Sequence, residues 1–123
     1  MNLVDSSGWL EYLADGPHAE SFLRPLRDTA NLLVPTVCLY EVFKVVLRER
    51  GDDDALQAAA LMKQGVVVDL TSDIAILAAN ISLGLKIPMA DSIILATAQL
   101  YDAVVWTKDA GFKGIKGVRC FPR

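Results

Sequence analysis

Short apolar runs alternate along this chain with longer stretches of helical periodicity. Residues 2–4, 32–34, 66–68 and 104–106 are runs too short for helices and rich in branched side chains, as strands require. Residues 118–121 offer a fifth. Helices are predicted between them. One covers 8–14, with Ser6 and Ser7 as N-caps and Gly16-Pro17 as its stop. The next covers 18–28, with Phe22, Leu23 and Leu26 on one side and Pro25 able to kink it. Residues 36–50 form a long helix with Thr36 as cap and Gly51 as stop, and 52–64 another that ends at Gly65. Ile74, Leu77, Ala78 and Ile81 step at helical intervals along one face, and Gly84 and Pro88 end that helix. A last helix covers 89–101.

The order is therefore β-α-α-β-α-α-β-α-α-β-β. Short apolar strands separated by helices imply an α/β fold of three layers, α/β/α, around a short, mainly parallel central sheet. No repeat, low-complexity segment or linker interrupts the pattern, so residues 1–123 read as a single domain.

Composition narrows the chemistry. The 53% hydrophobic and 22% charged content is that of a globular chain. Net charge is −3, so a basic surface is not available to grip nucleic acid by phosphate contacts alone. Bound divalent metal is the alternative source of positive charge. One histidine and two cysteines argue against a zinc site of His/Cys type, and against a histidine-based triad unless His18 is the base. Cys38 and Cys120 are expected to be reduced thiols rather than a disulfide. No run approaches the ~18 apolar residues of a membrane span. Asp5 lies too near Met1 for a signal peptide, so the expected setting is the cytoplasm.

The acids carry the functional signal. Asp5 directly follows the first strand, and Asp109 lies just beyond the fourth. Open α/β sheets bind ligands outside the carboxyl ends of their strands, so both occupy that address. Glu41 stands in the long helix beside Leu39, Val42 and Val45, away from the polar side with Arg48 and Glu49. Asp91 opens the last helix just before Ser92-Ile93-Ile94-Leu95-Ala96. Each has an ordinary explanation: a helix cap for Asp5, the helix dipole for Asp91, a half-exposed helix position for Glu41, a turn for Asp109. Together they are harder to dismiss, because carboxylates among apolar neighbours need a partner or a metal. All-oxygen ligands suit Mg²⁺ or Mn²⁺.

Those acids sit within segments that resemble a known family. The segments are Leu3-Val4-Asp5-Ser6-Ser7, Pro35-Thr36-Val37-Cys38-Leu39-Tyr40-Glu41-Val42, residues 87–98 around Ala90-Asp91-Ser92, and Val104-Val105-Trp106-Thr107-Lys108-Asp109-Ala110-Gly111-Phe112. In this order and spacing they resemble the PIN domain in its short, VapC-like toxin form, over essentially the whole chain. The resemblance implies that Asp5, Glu41, Asp91 and Asp109 form an acidic pocket, with Ser6 and Thr107 bonding the carboxylates or metal waters. It implies Mg²⁺- or Mn²⁺-dependent cleavage of RNA phosphodiester bonds, a protein antitoxin as partner, and a homodimer. Ala110-Gly111 departs mildly from the family, which often carries another acid there.

Further expectations concern surfaces. Lys44, Arg48, Lys108, Lys113, Lys116 and Arg119 are candidates to meet an RNA backbone, with Lys108 and Lys113 favoured because they flank Asp109. Trp9 and Tyr12 are either base-stacking or core residues. With Leu13, Phe22 and Leu26 they suggest a groove for a partner helix, from which an arginine could reach the acids. Two rival readings stand beside the nuclease. One is a receiver-like phosphoacceptor domain with Asp69 as acceptor; the other is a PIN-like binding module that has lost catalysis.

Overall fold

The computed structural model describes residues 1–121. Five strands form one sheet in the order β3-β2-β1-β4-β5: β1 (Asn2–Val4), β2 (Leu32–Pro35), β3 (Val66–Val68), β4 (Val104–Thr107) and β5 (Val118–Cys120). Every pairing is parallel, so the sheet is parallel throughout rather than mainly so. The helices are α1 (Ser6–Leu13), α2 (Ala19–Arg27), α3 (Thr36–Arg50), α4 (Asp52–Met62), α5 (Ser72–Leu85) and α6 (Met89–Leu100). Short 3-10 turns occupy Thr29–Asn31 and Ala110–Phe112. The α/β architecture and element order follow the hydrophobic pattern.

The central strand β1 pairs with β2 on one side and β4 on the other. The chain builds outward from β1 to β2 and β3, then crosses back to place β4 against β1. That reversal makes the carboxyl ends of β1 and β4 the topological switch point, where open sheets of this kind hold ligands.

The core explains the strand and helix patterns. Leu3, Val4, Leu33 and Val34 are fully buried, and α6 contributes an unbroken buried run from Ser92 to Ala98. Phe22 and Trp9 are also buried, each worth about 1.5–3 kcal/mol in apolar burial. Gly8 permits the close approach of α1 to β1 and α2. A Cβ there would lie 2.6 Å from Val4 Cγ1 and 2.8 Å from the Phe22 ring. Gly51, at φ +91°, joins α3 to α4 in a conformation that side-chain-bearing residues rarely adopt.

Several expectations are corrected. Asp5, not Ser6 or Ser7, caps α1, its side chain accepting from the Gly8 amide; both serines are helical. Thr36 is the first residue of α3 rather than its cap, because Pro35 holds the flanking extended conformation. β3 is an edge strand, and Val66 and Val67 are exposed. Trp9, Phe22 and Leu26 pack into the core, so Trp9 is not a base-stacking residue; Trp9 and Leu26 reach only a small cavity of about 40 Å³ beside Tyr12 and Leu61. No single helix among the described residues is long and apolar enough to cross a membrane; α5 and α6 pass together only as a pair bent by 118°.

Candidate active site at the ends of two central strands

Asp5 lies immediately beyond β1, and its own backbone amide is bonded to the Trp106 carbonyl of β4. The carboxylate is 3% exposed. Oδ1 accepts from Ser7 Oγ at 2.7 Å and from the Gly8 amide at 3.0 Å, and Oδ2 accepts from Thr107 Oγ1 at 2.5 Å. Burial raises the Asp5 pKa; the hydrogen bonds from Thr107, Ser7 and Gly8 oppose that rise, and the Asp109 charge adds to it. The carboxylate is thus costly to ionise but rigidly aimed.

Thr107 ends β4 and is fully buried. Its hydroxyl oxygen also accepts from the Asp109 amide at 2.9 Å, so one side chain ties both strand-end aspartates together. Asp109 caps the following 3-10 turn, Oδ1 accepting from the Gly111 amide at 2.8 Å. A glycine at 111 suits this turn, since a Cβ would stand 3.2 Å from that same oxygen.

Two further acids come from helices. Glu41, on α3, is half-buried, and Ser6 Oγ donates to its Oε1 at 2.6 Å. Asp91, in the first turn of α6, has no hydrogen-bond or ion-pair partner for its carboxylate among the described residues. Its pKa is raised to about 6, first by burial and then by the charges of Asp109, Asp5 and Glu41. The fold therefore brings all four acids into one electrostatic neighbourhood. Beneath them lies Cys38, fully buried; burial and the charges of Asp5 and Glu41 push its thiol up, which leaves it neutral and inert. Cys38 is a buried thiol outside any disulfide, and Cys120 Sγ donates to the Asp109 carbonyl at 3.5 Å.

Whether these residues fit a divalent cation can be judged from the donor set. All donors are oxygens, and the mutual repulsion felt at Asp91 is of the kind a cation relieves. As the side chains stand, no group of three acids, histidines or cysteines among the described residues closes around a single point. That still fits Mg²⁺, which keeps several waters and takes only one or two carboxylates directly.

Other sequence candidates are placed elsewhere. Lys108 Nζ is bonded to Glu11 at 2.9 Å rather than free for RNA. Arg119 stacks over Trp106 and Lys44 over Tyr40. Asp69 is exposed at the end of the edge strand β3, two strands from Asp5 in the sheet order, where a receiver-like site would not form. Sequence reasoning missed Glu11 and Ser7. Glu11 reads as an ordinary polar position of an amphipathic helix, and only its burial separates it from one.

Comparison with known proteins bears on this arrangement. The model of the PIN domain family matches residues 3–118. No curated protein matches significantly. Among solved structures, a toxin–antitoxin complex from Klebsiella pneumoniae contains a similar chain, with TM-score 0.83 and 21% identity over 97% of this chain and 96% of that one. A sarcin–ricin-loop-cleaving VapC toxin of Mycobacterium tuberculosis superposes with TM-score 0.78 at 17% identity, covering 94% and 95%. DNA-bound VapBC from Salmonella typhimurium gives TM-score 0.75 at 18% identity, covering 98% and 97%. At such identities the likeness is one of fold.

Proposed function

This chain belongs to the PIN-domain family, and from that premise we propose that it is a divalent-metal-dependent ribonuclease, the toxin of a toxin–antitoxin pair. The observation that carries the proposal is the electrostatic convergence of Asp5, Glu41, Asp91 and Asp109 at the switch point of the sheet. The structurally similar proteins support it, since one is a sarcin–ricin-loop-cleaving toxin and another belongs to a toxin–antitoxin complex.

In this reading Asp5 and Asp91 or Asp109 would hold Mg²⁺ or Mn²⁺ directly, and Glu41 would hold a second ion or orient the attacking water. A bound ion would supply a water of lowered pKa and offset charge building on the phosphate. The chain's own residues provide the aim. Ser7, Gly8 and Thr107 fix both oxygens of Asp5. Ser6 turns Glu41 toward the same space. Asp91 has no donor among the described residues, and burial with the neighbouring acids favours its neutral form, so its protonation would oppose cation binding.

Partners follow from exposed surfaces. A groove of about 490 Å³ between α1, α3 and α4 is lined by Leu10, Leu13, Val45, Val46 and Leu61, with Glu49, Arg50 and Asp54 around it. An amphipathic antitoxin helix fits such a surface. The face of α5 and the start of α6 exposes Ile76, Leu83, Leu85 and Met89, which favours a second copy of the chain there. The buried Cys38 thiol suits a reducing cytoplasm.

The test is cleavage of RNA by the purified chain. EDTA is expected to abolish it and Mn²⁺ to restore it, and Asp5→Asn to remain folded while losing at least about a hundredfold in rate. Cleavage that resists chelation and survives Asp5→Asn would overturn the reading. An inactive binding module would show, in addition, no thermal stabilisation by millimolar Mn²⁺.

A further inference from the structure

Glu11 is a buried carboxylate with a housing of its own. It lies on α1 at 7% exposure, in a position where an apolar residue would ordinarily serve the core. The α1–α2 turn wraps around it. Asp15 adopts φ +51°, unusual for a residue with a side chain, and the Gly16 that follows has no Cβ; one would fall within 2.6 Å of three Glu11 carboxylate atoms. The His18 amide donates to Oε2 at 2.7 Å. Oε1 is left to receive Lys108 Nζ at 2.9 Å.

Lys108 is the residue between Thr107 and Asp109. Its backbone amide donates to Ser7 Oγ at 2.9 Å, and Ser7 in turn donates to Asp5. Thr107 bonds Asp5 from the other side and receives the Asp109 amide. The segment is otherwise open: Lys108, Ala110 and Gly111 are exposed. Among the described residues, the Lys108 side chain has Glu11 as its one ion-pair partner. The salt bridge therefore fastens an exposed strand-end segment to a rigid, buried anchor. An ordinary surface pair would contribute little, but here the carboxylate is 7% exposed and held in place by the turn and the His18 amide.

We propose that Glu11 is a positioning residue for the acidic site: through Lys108 it holds the Thr107–Asp109 segment in the register that aims Asp109 and keeps the Ser7–Asp5 bond. The assignment rests on the metal-dependent reading above. It removes Lys108 from the set of RNA-binding cations, because its ammonium is turned toward Glu11.

The test uses the whole chain, with Glu11→Gln, Lys108→Met and the double variant. Three measurements are made: kcat and KM on RNA, Mn²⁺ affinity by calorimetry without RNA, and Tm. Each single variant is expected to lower kcat on the order of tenfold, as small misplacement of a reacting group does. KM should stay within about twofold, Mn²⁺ affinity should weaken several-fold, and the double variant should be no worse than either single one. A lowered Tm with wild-type kcat and Mn²⁺ affinity would make Glu11 a mere clamp on the turn and overturn the proposal. So would a raised KM with unchanged kcat in Lys108→Met, which would return Lys108 to phosphate binding. If Glu11→Gln does not fold, Lys108→Met decides alone, since its side chain is 39% exposed against 7% for Glu11. A parent chain that neither binds Mn²⁺ nor cleaves RNA would instead remove the nuclease reading and this inference with it.

Discussion

Asp5 is gripped by three donors, whereas Asp91 has none among the described residues and feels the charge of Asp5. Asp5 and Asp109 belong to strand ends, where backbone amides and the Thr107 and Ser7 hydroxyls are at hand. Glu41 and Asp91 belong to helices whose amides are already engaged, so they depend on a stray side chain such as Ser6 or on nothing. The strand ends are thus built to keep their acids fixed without metal. The helices deliver negative charge that the protein leaves uncompensated. In the proposed metal-dependent reading, the first pair would set geometry and the second the demand for a cation.

The comparison can be broken from either side. The largest effect is expected from Thr107→Val, which keeps the shape of the side chain but takes the donor from Asp5 and the acceptor from the Asp109 amide. Leaving buried polar groups unsatisfied should lower stability by about 1–3 kcal/mol, read by denaturant unfolding. Activity should fall tenfold or more, roughly, because both strand-end acids lose their aim. Near-wild-type activity would show that backbone contacts suffice to aim them.

Asp91→Asn should act in the opposite sense. The folded-state pKa of Asp91 is about 6, above the ordinary 3.8, so its neutral form is favoured by the fold. The stability it contributes is fully present below pH ~4 and is lost as pH rises through ~6. Metal-free protein should therefore be less stable than Asp91→Asn at pH 7, by about 1 kcal/mol once solvent screening is allowed for, and equal to it near pH 4. Millimolar Mn²⁺ should close the gap at pH 7 for the wild type only. Thermal melts across pH 4–8 with and without Mn²⁺ check both signs, and a gap that does not change with pH would exclude the assigned cause.

The smallest effect belongs to Ser6→Ala. It removes the 2.6 Å bond to Glu41 at a half-buried site. Stability should change by about 0.5–1.5 kcal/mol at most, and kcat by a few-fold. A loss equal to that of Asp5→Asn would mean that Glu41, and not Asp5, is the acid whose orientation limits the reaction.

Much of this was legible beforehand. Asp5 and Asp109 could be placed at strand ends because apolar runs such as Leu3-Val4 and Val104-Val105-Trp106 announce a parallel sheet, and that sheet's carboxyl edge is a general ligand site. The long i, i+3, i+4, i+7 face from Ile74 to Ile81 survived intact, with Ile74 and Ala78 buried. The α1 cap stays open in the sequence because Asp5, Ser6 and Ser7 are all good caps and their order does not say which one leaves the strand. Trp9 remained ambiguous for a similar reason: an aromatic on an apolar helix face looks the same whether it meets the core or a ligand.

Local pattern determined the elements, their order and the candidate acids, because burial period and chain direction are properties of short segments. The exposure of Asp91 to the charges of Asp5, Asp109 and Glu41, the sharing of Thr107 between two aspartates, and the capture of Lys108 by Glu11 were decided by tertiary structure. Each depends on distances between residues tens of positions apart, set by how helices pack across the sheet. A carboxylate's surroundings fix its charge state and its partners, and those surroundings exist only once the chain has closed around it.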